Sequence, residues 1–157
     1  MKNHLVCRFL LIHLLFVCCA GFTPANPPDV TGSWRMTAHR VVPAVDGVSD
    51  LYAQFKDQYG GCRRDMGLTL NADGSLKMTP AGDCQNPLGN FVMKMAAKFM
   101  PSGKASWQAI ADKMILQDGK GQRREYDLRL SGTTMEWTFE ETHKQTTVRH
   151  TVVFQRE

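Results

Sequence analysis

The chain has 157 residues, of which 43% are apolar, 9% aromatic and 22% charged, with a formal charge of +4. That length and mix fill one core, which excludes a wholly disordered chain and a typical two-domain enzyme. Part of the positive charge sits at the start of the chain, where it has a different meaning.

Lys2, His4 and Arg8 precede an apolar run at 9–20 that ends in small residues. This is the pattern of a secretory signal peptide covering 1–20. The run is shorter than the ~20 apolar residues a spanning helix needs, and a retained membrane anchor is the alternative. Cleavage after Ala20 would leave no transmembrane helix. It would also remove Lys2 and Arg8 and bring the charge to +2. A domain at +2 with interspersed charges has no nucleic-acid footprint. The pairs Arg63-Arg64 and Arg123-Arg124 read as solvated surface. The Cys18-Cys19 pair opens a second route, in which lipid on a cysteine holds the protein at a membrane. Phe16-Val17-Cys18 before Cys19 fits that route poorly, because its signal wants small residues there. The protein is thus expected to be exported: periplasmic, secreted or lipid-anchored at Cys18 or Cys19.

Residues 21–29 hold Pro24, Pro27 and Pro28 and read as an extended tether. A single domain then spans 30–157. Trp34 to His39 alternate apolar and polar, the pattern of a half-buried strand, with His39 on its outward face. At 49–59, Leu51, Tyr52, Phe55 and Tyr59 lie at helical spacing, with Ser49 as a cap and Gly60-Gly61 as a stop. Cys62 and Cys84 are the two cysteines of the mature chain. In an exported protein they suggest one disulfide closing a loop of about 20 residues, worth roughly 3 kcal/mol. Free thiols or half a metal site are the alternatives. Met66, Leu68 and Leu70 form one arm of a hairpin, Leu76 and Met78 the other, with Asn71 to Gly74 as the turn and Gly74 at positive φ. A second short helix is expected at 90–100, carrying Phe91, Met93, Met95, Phe99 and Met100. It packs on the rest of the domain or serves as a lid.

Five strands follow as a meander. Their alternating positions are Trp107 and Ala109, then Met114 to Gln117, then Tyr126, Leu128 and Leu130. Met135, Trp137 and Phe139 come next, and Val148, His150, Val152 and Phe154 close the chain. The fold class is therefore all-β, with eight antiparallel strands and two short inserted helices. Closing the sheet into an up-and-down barrel hides the apolar faces and removes the edges, and a two-sheet sandwich is the rival.

Thr31-Gly32-Ser33-Trp34 resembles the Gly-x-Trp opening of the calycins, which include the lipocalins. The order of export signal, Gly-x-Trp strand, Cys62 segment, hairpin, Cys84 and Trp-led meander is similar to that of the bacterial lipocalin-like domain family. The resemblance is one of layout and covers most of 30–157. It implies a β-barrel with Gly32 and Trp34 in structural roles, and binding of an apolar ligand. In lipocalins a late arginine covers the first-strand tryptophan, and Arg149 and Arg156 are both candidates for that role here.

The inward residues Trp107, Tyr126, Leu128, Trp137, Phe139 and His150 are the candidate pocket lining, with plain core packing as the alternative. His150 stands between Val148 and Val152, either as a satisfied core histidine or as a polar anchor for a ligand. His143 falls in a turn. Three mature histidines without ligand spacing give no metal site, and no cofactor is expected. No nucleophile elbow, zinc-protease motif or phosphate-binding loop occurs, so no catalytic residues are assigned and no enzyme is expected. Glu136, Glu140 and Asp127 belong to the polar face, where Arg129 and Arg149 can pair with them. The expected function is binding of a small, mostly apolar molecule inside the barrel. A solid-core module that binds or inhibits an as yet unknown protein partner is the alternative.

Overall fold

The computed structural model describes residues 28–58, 66–79 and 104–157. Signal, tether up to residue 27, both cysteines and the predicted second helix lie outside the described residues.

Among the described residues, nine strands and one helix follow in order. They are β1 (Gly32–Val45), β2 (Val48–Asp50), α1 (Leu51–Gln58), β3 (Gly67–Leu70) and β4 (Ser75–Thr79). Then come β5 (Ala105–Ile110), β6 (Lys113–Asp118), β7 (Arg123–Ser131), β8 (Thr134–His143) and β9 (Thr146–Arg156). All neighbouring pairs are antiparallel, and β1 pairs with β9 as well as with β3. That last pairing closes an eight-stranded barrel of β1 and β3 to β9, the architecture of a calycin-like fold. The short β2 folds back on β1 beyond it.

The turns form where the sequence has turn chemistry. Gly74 takes a φ of 80°, while Asp73 Oδ1 accepts from the Ser75 N–H and hydroxyl at 2.8 and 2.6 Å. Asp118 Oδ1 accepts from the Lys120 and Gln122 amides at 2.9 Å, ahead of Gly121 at a φ of 81°. Polar pairs line the outer face. Lys113 is paired with Asp127, Arg129 lies opposite Glu136, and Arg149 lies opposite Glu140.

The two ends of the barrel differ. At one end the strands are joined by the tight turns at 71–74, 111–112 and 132–133, and Trp34 fills the floor. Both long connections, from β1 to β3 and from β4 to β5, start and finish at the other end. The Trp34 indole donates to the Val30 carbonyl at 2.8 Å, and the Arg156 guanidinium lies 4.5 Å over its ring. Arg156 also donates to the Thr31 and Asp29 carbonyls, both at 2.9 Å. Of the two candidate arginines, Arg156 is thus the one that covers the tryptophan.

The first strand corrects the sequence expectation. Met36 lies opposite Phe154 and Ala38 opposite Val153, so Thr37 is an extra residue, a β-bulge. From His39 on, the facing is reversed. Trp34, Met36 and Ala38 are buried at even positions, whereas His39 and Val41 are buried at odd ones. His39 is therefore an interior residue and not the outward, solvated one that strict alternation predicts.

The helix begins one residue later than its predicted cap. Asp50, not Ser49, caps it, its Oδ1 accepting from the Tyr52 and Ala53 amides at 3.0 Å. The same oxygen takes the His39 amide at 3.2 Å and so ties the helix start to the strand beside the bulge. Asp50→Ala is expected to cost about 1–2 kcal/mol in urea unfolding, and Asp50→Asn much less, because asparagine retains the accepting oxygen.

Candidate functional site

The inner faces of β1, β7, β8 and β9 carry most of the barrel's polar and aromatic interior. Going down β8 from the long-loop end, Glu141 is exposed and Phe139 half-buried. Below them Trp137 is 1% exposed and Met135 fully buried. Burial thus increases along the inner face of β8 from this end toward the middle of the barrel. At the opposite end the interior is filled by Trp34, with Arg156 over its ring.

Phe139 is the centre of a ring cluster. It stacks on His150 with centroids 4.7 Å apart and planes 10° apart, and it meets Tyr126 edge-on at 5.5 Å. Tyr126 contacts Trp137 at 5.5 Å, and Trp137 contacts Phe154 at 4.7 Å. The rings form a ladder from the rim toward the floor. Leu128 lies directly opposite Trp137 across the β7–β8 ladder and packs beside it.

His39 and His150 are the two buried polar residues among those described, at 8% and 5% exposure. His39 Nε2 lies 3.0 Å from His150 Nδ1. His150 Nε2 lies 3.8 Å from a Glu141 carboxylate oxygen at the rim. One assignment satisfies all three groups. His39 Nε2–H donates to His150 Nδ1, and His150 keeps its own proton on Nε2, facing Glu141. Both rings are then neutral.

Burial holds His39 well below the ordinary imidazole value, at about 4, reinforced by His150 and opposed by Asp50. Burial lowers His150 too, against the pull of Glu141. The same desolvation raises the Tyr126 phenol, while a hydrogen bond and the charge of Arg124 act the other way. Among the described residues, no group of three His, Cys, Asp or Glu side chains is placed to hold a metal ion.

Five of the six predicted lining residues thus come together: Tyr126, Leu128, Trp137, Phe139 and His150. Trp107 stands apart. It is half-buried at the closed end, where its indole donates to the Asn71 carbonyl at 3.1 Å. His143 is exposed at the end of β8, as its turn position suggests. Periodicity alone misses His39, Arg124 and Glu141. For His39 the sequence carries no clear signal, because apolar residues stand at both even positions (Ala38, Val42) and an odd one (Val41) around it.

No protein-family profile, curated protein or solved structure matches the chain. Among the described residues no helix is long and apolar enough to cross a membrane.

Proposed function

We propose that this chain is an exported lipocalin-like protein that binds a small, mostly apolar molecule inside its barrel, entering at the long-loop end. The observation that carries the reading is the graded inner face of β8, which leads from Glu141 past Phe139 to Trp137 and is flanked by a buried imidazole pair. Binding sites combine apolar and aromatic walls with a few placed polar groups, and this end has that make-up. The plugged opposite end supports a single mouth. The Gly32-x-Trp34 opening with Arg156 over the indole supports kinship with lipocalin-like barrels. Export rests on the amino-terminal sequence, as does the proposed Cys62–Cys84 disulfide.

The dye 1-anilinonaphthalene-8-sulfonate tests the reading. It is expected to bind saturably and to quench tryptophan fluorescence. Phe139→Ala weakens it roughly tenfold, the loss of about 1.4 kcal/mol of ring contact. Trp107→Phe, at the closed end, leaves the affinity unchanged. Equal binding by wild type and Phe139→Ala contradicts the assignment of the mouth.

A further inference from the structure

The three indole N–H groups have different fates. Those of Trp34 and Trp107 each donate to a backbone carbonyl. That of Trp137 is buried without a hydrogen-bond partner, although the residue is 1% exposed. A buried donor left unpaired opposes folding, and native proteins retain few of them. This one lies on the inner face of β8, at the next inward position below Phe139.

We infer that the ligand carries a neutral hydrogen-bond acceptor on a ring-shaped apolar body, and that the Trp137 indole N–H donates to that acceptor. The inference rests on the binding function proposed above and specifies its chemistry. An indole nitrogen only donates, so the group it meets must accept. Around it stand Tyr126, Phe154, Leu128 and Val152, a ring-rich and aliphatic wall that suits a flat apolar body. Neither buried polar residue among those described, His39 or His150, is a fixed cation. An anionic carboxylate at this depth would lack a permanent counter-charge, whereas a ketone or ether oxygen needs none. Arg124 is partly buried at the level of Tyr126, nearer the mouth.

The test uses three probes of similar size: 2-acetylnaphthalene, 2-ethylnaphthalene and 2-naphthoate. The ketone is expected to bind about five- to tenfold more tightly than the ethyl compound, the effect of one added hydrogen bond at a buried donor. It also moves the Trp137 indole proton downfield in the 1H–15N spectrum, while the Trp34 resonance stays in place. In Trp137→Phe the ketone and ethyl compounds bind equally. Equal affinity in wild type, or a preference for the ketone that survives in Trp137→Phe, overturns the role of the indole. Tightest binding by 2-naphthoate overturns the neutral acceptor. If none of the three binds, the binding function itself fails, and the inference fails with it. The wild-type spectrum reports on the hydrogen bond even if the variant does not fold.

Discussion

Trp34→Ala is expected to lower stability by about 3–5 kcal/mol, the range for truncating a buried aromatic residue. Three losses coincide at that position. The indole is fully buried against the core, its N–H leaves the Val30 carbonyl, and Arg156 loses the ring beneath its guanidinium. Arg156→Ala alone should cost less, because its charge is partly solvated and its contacts are two carbonyls and one ring face. A double-mutant cycle between the two isolates their coupling, expected at about 1 kcal/mol. Urea unfolding measures all of these. A Trp34→Ala loss under 1 kcal/mol would mean that this end is not sealed by the tryptophan.

Acidification is expected to destabilise the protein by about 3 kcal/mol through His39 alone. The sign follows from the direction of the shift. In the unfolded chain His39 titrates near 6.5, but in the folded barrel burial holds it neutral down to about 4. Above pH 6.5 both states leave it uncharged, and its contribution is complete. Between pH 6.5 and 4 the unfolded chain binds a proton that the folded chain refuses, so stability falls with falling pH. Below about 4 the loss levels off. His150 is shifted the same way and adds to the slope. Comparison with His39→Gln separates this effect from carboxylate titration, which both proteins share. The glutamine amide nitrogen reaches the place of His39 Nε2 and can donate to His150 Nδ1, but does not titrate. Its stability should be flatter between pH 6.5 and 5, and an unchanged slope would refute the buried, neutral assignment.

Much of the barrel was legible because a half-buried strand writes its facing into every second residue. The meander of β5 to β9 shows this best, since Tyr126, Trp137, His150 and Phe154 fall where alternation places them. The turns at Asn71 to Gly74 and Asp118 to Gly121 were equally plain, because aspartate caps and positive-φ glycines are local chemistry. What local chemistry does not encode is a change of register. The bulge at Thr37 turns His39 from the outer face to the inner, and only the pairing of β1 with β9 reveals it. The choice of Arg156 over Arg149 has the same cause, because it depends on which residue of β9 lies across from Trp34. Closure of the sheet, which brings the first strand against the last, likewise depends on contacts distant in sequence. The imidazole pair, joined across 111 positions, could not be read before that closure was known. Trp107 shows the limit of a facing argument, since inward residues at opposite ends of a barrel belong to different sites.

In the proposed function the barrel receives its ligand at the His39–His150 end, opposite the end that Trp34 fills. A 1H–15N NMR titration with 1-anilinonaphthalene-8-sulfonate tests it most directly, because the three indole resonances report on three separate places. Saturable shifts are expected at the Trp137 indole and at the amides of His39, Phe139 and His150, with the Trp34 indole unmoved. Shifts centred on Trp34, or confined to outer-face residues such as Arg129, Glu136 and Arg149, would contradict it.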